Sequence, residues 1–140
     1  MKVLSIRQPW AQLVASGAKD VENRTWPTRY RGPVLIDASQ RADDVTSDEI
    51  ERRFGVRLPS TLPLGGIVGL TVIVDCVTLH PSKWYAPGNW AFVLEYSTAL
   101  PFVSWKGQLG IRDAPETLLE LLDLDQAAAD PAHYEPALMG

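Results

Sequence analysis

The chain of 140 residues has a single cysteine, Cys76. That excludes an intrachain disulfide and any CxxC metal knuckle. Its two histidines, His80 and His133, are isolated and offer no zinc spacing. No run of about 18 apolar residues occurs, so no membrane-spanning helix is expected. The opening MKVLSIRQPW lacks the long apolar stretch of a signal peptide. GxSxG, HExxH and P-loop patterns are absent, which removes the chemistries those signatures carry. An excess of positive charge is missing too. The net charge of −4 argues against a wholly basic nucleic-acid binder. These absences describe a soluble, reduced, cytoplasmic protein with no metal site, no cofactor and no membrane contact.

What is present is ordinary in amount and uneven in distribution. Apolar residues make up 46% and charged residues 21%, as in globular domains. The length fits one domain able to bury a core without staples. Residues 1–32 hold six basic side chains against Asp20 and Glu22. Residues 113–140 hold seven acids and no lysine or arginine. The spacing predicts a patterned domain over 1–124 and an acidic tail over 125–140. A solvated terminus is the ordinary reading of such a charge run.

Val3, Leu4 and Ile6 predict a first strand. Pro9 fits a first helical position, and Trp10, Leu13 and Val14 share one helical face up to a cap at Gly17. A short strand over 20–23 continues with Glu22 and Arg24 on one side, because side chains alternate with period two. Further strands are expected over 34–39, 65–79, 89–100 and 108–113. Gly69 inside the longest marks a bulge or a close backbone approach. Helices are expected near 43–56, capped by Thr46 or Ser47, and over 114–124. Strands cluster late and do not alternate with helices. The fold class is therefore α+β, with a mostly antiparallel curved sheet or small barrel.

Three groups of polar and aromatic residues exceed what a fold demands. Ser5, Arg7 and Gln8 precede the first helix, where Arg7 beside free backbone N–H groups suits an anion. The alternatives are an Arg7 ion pair and a Gln8 that only caps. Lys19, Glu22 and Arg24 suit acid–base work or phosphate binding, or form a plain ion-pair network. Trp26 and Tyr30 lie in the turn RTWPTRYRG among arginines and suit base stacking, or pack over the barrel rim. Trp10 and Trp90 read as core, and Cys76 as a buried inert thiol.

At these residues the sequence resembles the ASCH domain family of the PUA-like β-barrel superfamily. The stretches LSIRQPWA, SGAKDVENRTW with its G-x-K-x-x-E-x-R pattern, YRGPVLIDAS, LPLGGIVGLTVIVDC and PFVSWKG carry the resemblance. It implies a small PUA-like β-barrel with flanking short helices. It also implies a cleft lined by Ser5, Arg7, Gln8, Trp10, Lys19, Glu22, Arg24 and Arg31. Members of the family are linked to RNA or DNA binding, to coactivation of transcription and to ribonuclease activity. One branch hydrolyses N4-acetylcytidine with a lysine, a threonine and a glutamate. Lys19 matches that lysine, while Glu22 stands at the threonine position. The pattern is similar to the coactivator-type branch.

Three functions follow as expectations. The first is a binding module for RNA, single-stranded nucleic acid or a nucleotide. Its cleft would use Ser5, Arg7, Gln8, Lys19, Glu22, Arg24, Arg29 and Arg31, with Trp26 or Tyr30 for stacking. The second is an enzyme on RNA or a modified nucleoside, with Lys19, Glu22 and Tyr30 as catalytic groups. The third is a protein-interaction domain in transcription or translation, docking through the acidic C-terminal helix. The residues leave open which ligand binds, whether a bond is broken, and the oligomeric state.

Overall fold

The structure, a computed structural model, describes residues 1–122. The acidic tail expected over 125–140 lies outside the described residues. One six-stranded sheet runs in the order β2-β5-β4-β3-β1-β6 and curls into a half-barrel. Its strands are β1 (Lys2–Ile6), β2 (Val21–Arg24), β3 (Gly32–Ala38), β4 (Gly66–Val77), β5 (Trp90–Ser104) and β6 (Ile111–Asp113). Three short helices flank it: α1 (Trp10–Ala15), α2 (Ser47–Phe54) and α3 (Glu116–Leu122). β1 and β3 pair in parallel, and every other pair is antiparallel.

β4 and β5 are β-branched, aromatic and long, and they bend rather than run flat. Their ladder slips at Ile67/Gly69, Leu70/Val72 and Ile73/Asp75. Each slip inserts one or two extra residues in one strand and increases local twist. β5 passes through Pro101 because that residue stands opposite the Ile67/Gly69 slip, where no ladder N–H is needed. The sheet thus wraps α1, whose Ala11, Val14 and Ala15 pack with Leu4, Ile36, Val68 and Phe92. A second apolar cluster joins Leu13 and Val21 to Ile50 of α2 and to Trp84. A third lies with α3, where Leu118 meets Val3, Leu35 and Ile67.

The caps follow their chemistry. The Thr46 hydroxyl accepts from the Glu49 N–H, and Gly55 ends α2 in the left-handed region at φ 73°. Pro9 departs from its expected place. It precedes α1 as the cap residue, joined to Gln8 by a cis peptide bond. Cys76 departs as well: it lies near the end of β4 and is half-buried rather than enclosed.

Candidate functional site

The open cleft beside α1 has a volume of about 1190 Å³. Ser5 at the end of β1, Arg7 and Trp10 form one side. Lys19 and the β2 residues Glu22, Asn23 and Arg24 form the floor. Phe54 of α2 and residues 83–87 form the facing side, with Trp26 at the rim.

The floor is a buried charge cluster. Lys19 Nζ donates to Glu22 Oε1 at 2.7 Å and to the Val21 carbonyl at 2.6 Å. Arg24 Nη2 donates to Glu22 Oε2 at 2.9 Å and to the Ser5 carbonyl at 2.6 Å. Period-two alternation places Glu22 and Arg24 on one side of β2, as expected. Burial by itself would raise the Glu22 carboxyl. The charges and hydrogen bonds of Lys19 and Arg24 outweigh it and hold Glu22 below its ordinary value. Glu22 is therefore a carboxylate with both oxygens engaged. Lys19 uses two of its three donors, and its ammonium stands 5.7 Å from the Trp10 ring.

The walls are aromatic and cationic. Trp26 is 37% exposed, meets Phe92 edge-on, and lies 5.8 Å from the Arg24 guanidinium. Trp10 donates its indole N–H to Asp43. That bond, with the Asp44 N–H, holds the Asp43 carboxyl below its usual range. Trp84 and Phe54 stack at 4.1 Å and close the facing wall. Arg7 is exposed, and its side chain makes no hydrogen bond among the described residues. The lining carries five cations, Arg7, Lys19, Arg24, Arg53 and Lys83, against Glu22 and Asp43.

Ser5, Arg7, Lys19, Glu22, Arg24 and Trp26 thus meet in the cleft, but four other expected residues do not. Gln8 is buried. Its side chain accepts from the Gln12 N–H and donates to the Pro63 carbonyl, so its polar groups serve the fold. The Tyr30 hydroxyl donates to the Pro33 carbonyl at 2.7 Å, away from Lys19 and Glu22. Arg31 donates to the Thr28 and Tyr30 carbonyls and stands 3.6 Å from Asp75. Arg29 also lies outside the lining. The PTRYRG turn folds on itself, which spacing along the chain does not reveal.

Residues outside the expected set complete the site: Asn23, Ser39, Asp43, Arg53, Phe54, Lys83, Trp84 and Tyr85. Asn23 Nδ2 donates to the Trp84 carbonyl, and Asn23 Oδ1 accepts from the Ala86 N–H. That amide fastens the 84–86 segment across the cleft. The sequence SKWYAPGNW carries a lysine and two aromatics before a Pro-Gly turn, a signal that could have marked this wall.

Comparison with known proteins adds the lineage. The human Activating signal cointegrator 1 (Homo sapiens) is 33% identical over 91 residues, covering 60% of this chain and 16% of the relative. Its mouse counterpart (Mus musculus) is 33% identical over 82 residues, covering 54% of this chain and 14% of the relative. The chain therefore spans a small part of the length of the curated relatives it matches. A crystal structure of a ZmASCH variant from Zymomonas mobilis superposes with a TM-score of 0.56 at 14% identity, over 88% of this chain and 96% of that one. A second ZmASCH variant gives 0.55 at 14% identity over 88% and 94%. Both share the fold of the half-barrel. Residues 4–106 match the model of the ASCH domain. The chain belongs to the ASCH domain family.

Proposed function

We propose that this ASCH domain is a binding module for single-stranded nucleic acid, RNA in the first instance. The observation that carries the proposal is the segregation of charge and aromatic surface. A chain of net charge −4 gathers five cations and the rings of Trp10, Trp26, Phe54 and Trp84 in one cleft. Cations position phosphates, and aromatic faces take up unstacked bases without regard to sequence. A volume of 1190 Å³ exceeds the usual range for small-molecule pockets, roughly 300–1,000 Å³. That size suits a strand of a few nucleotides better than a single metabolite.

Catalysis finds less support. A general base works best with a pKa near the operating pH, and Lys19 and Arg24 hold the Glu22 carboxyl below its ordinary value. The Tyr30 hydroxyl is turned to the Pro33 carbonyl. Within its described residues the C-terminal helix offers protein docking little apolar surface, since α3 buries Leu118 and exposes Leu121 alone among its large apolar residues.

Fluorescence anisotropy with short labelled RNA and DNA strands, over a range of salt, tests the proposal. Binding at low salt that weakens as salt rises is expected. Arg7→Ala, which removes one phosphate contact, should reduce the salt slope by about 0.7. Trp26→Ala should weaken binding by about 1–3 kcal/mol. No binding at low salt, or binding indifferent to both substitutions, overturns the proposal.

A further inference from the structure

Two carboxylates line the cleft beside α1, and they are held in different ways. Glu22 is engaged by Lys19 and Arg24. Asp43 faces the cleft with no ion pair among the described residues. An unpaired negative charge on the wall weakens a cleft that draws its affinity from phosphates. Such a group calls for a reason.

Asp43 is exposed yet fixed. Its backbone N–H donates to the Gln8 carbonyl at 2.7 Å. Its Oδ1 accepts from the Asp44 N–H at 2.7 Å, and its Oδ2 accepts from the Trp10 indole N–H at 2.9 Å. Each oxygen keeps a second lone pair for another donor. The Trp10 and Asp44 bonds, helped by the Arg7 charge, hold the carboxyl below its ordinary value, so it is ionised at neutral pH. Arg7 precedes Gln8 and lines the same cleft, its side chain free of hydrogen bonds among the described residues. An acceptor and a cation thus stand within electrostatic reach of one another, unpaired. Asp37 of β3 is unlike Asp43. It is 3% exposed, and burial pushes its carboxyl up to about 6, so it meets no ligand.

We propose that Asp43 accepts the ribose 2′-OH of a bound strand while Arg7 takes the phosphate beside it, so that the cleft selects RNA over DNA. This rests on the nucleic-acid reading above. On a ribonucleotide the 2′-OH and the 3′-phosphate sit on neighbouring carbons, a donor next to an anion. Asp43 and Arg7 offer the complement, an acceptor near a cation. The 2′-OH is the group by which a protein tells RNA from DNA. A hydroxyl bonded to a carboxylate makes a charge-assisted hydrogen bond, stronger than a neutral one. DNA brings a phosphate for Arg7 and nothing for Asp43, whose charge then only repels. The selection thus has a repulsive part as well as an attractive one.

Uridine strands of one length and four sugars, ribose, 2′-deoxy, 2′-O-methyl and 2′-fluoro, test this by anisotropy. The 2′-fluoro sugar keeps a ribose-like pucker but donates no hydrogen bond. The ribose strand should bind about tenfold tighter than the 2′-deoxy and 2′-fluoro strands. Asp43→Asn keeps an acceptor for the Trp10 N–H and removes the charge. It should bring the ribose and 2′-fluoro strands within about twofold of each other. It should also bind the 2′-deoxy strand at least as tightly as the natural chain does. Equal binding of the ribose and 2′-fluoro strands by the natural chain overturns the inference and leaves the binding module standing. So does a ribose preference that survives Asp43→Asn. A variant that loses all four strands by the same factor also overturns it, since Asp43 would then only steady Trp10. If no strand binds the natural chain, both readings fall.

Discussion

Glu22 holds two cations on one carboxylate in a place nearly closed to water. Its side chain is 10% exposed, and that of Lys19 is 4%. Removing the charge with Glu22→Gln leaves two cations without a partner. The expected cost is about 3–5 kcal/mol, read by chemical denaturation. Lys19→Met removes one cation with its need for a partner, so it should cost less than Glu22→Gln. Asp37 pulls the other way. Its folded value of about 6 stands above the ordinary 3.8, so the native state holds its proton more tightly. The stability this group contributes is full below about pH 4 and is lost as pH rises through 6. Asp37→Asn should therefore be the more stable protein at pH 7 to 8, by on the order of 3 kcal/mol, with the gap closing near pH 4. Among the described residues, Lys106 is the one cation lining the small pocket that Asp37 borders. Glu22 has the opposite sign, since its depressed carboxyl contributes above its ordinary 4.5 and fails as acid reaches its lower folded value. Thermal melts of both variants across pH separate the two.

Among the elements, α1 comes close against β4 at Gly69. A Cβ at Gly69 would stand 2.6 Å from Ala15 Cβ and 2.9 Å from the Thr98 carbonyl. Gly69→Ala should cost about 1–3 kcal/mol by denaturation, because neither neighbour is a flexible side chain. That glycine was legible in the sequence: inside a β-branched run it announced a bulge or a close approach, and it provides both. The strands were legible for the same reason, since β-branched runs leave few other conformations. Glu22 and Arg24 were legible as a pair because strand periodicity is local. The far wall was not. Trp84 reaches the site through a contact with Asn23, 61 residues away in sequence. No local pattern encodes such a distance. Gln8 and Tyr30 were misplaced because residue type tells which bonds a side chain needs, not which carbonyl will meet it first. β5 runs past Pro101 because its partner slips there, a fact about the pair and invisible in either strand alone.

Across the whole molecule, a net charge of −4 surrounds a cleft lined by more cations than acids, and under the proposed function that contrast sets what enters. An excess of negative charge repels long polyanions, while the cleft draws in what can enter it. In the proposed binding module the rings take bases that are already unstacked. Double-stranded RNA or DNA of equal length should therefore compete at least about tenfold more weakly than a single strand, measured by displacement of a labelled strand. One further consequence sits in the Asn23 amide. It joins β2 to the opposite segment by two bonds, so floor and wall behave as one casting. Such a receptacle needs no closing motion around its occupant and loses little freedom on being filled. Selection then acts by the width of the mould, not by its response. The Ala86 amide should exchange with solvent equally slowly in the empty and the filled protein, and cutting the tie with Asn23→Ala should release it while leaving the buried charges of β2 in place.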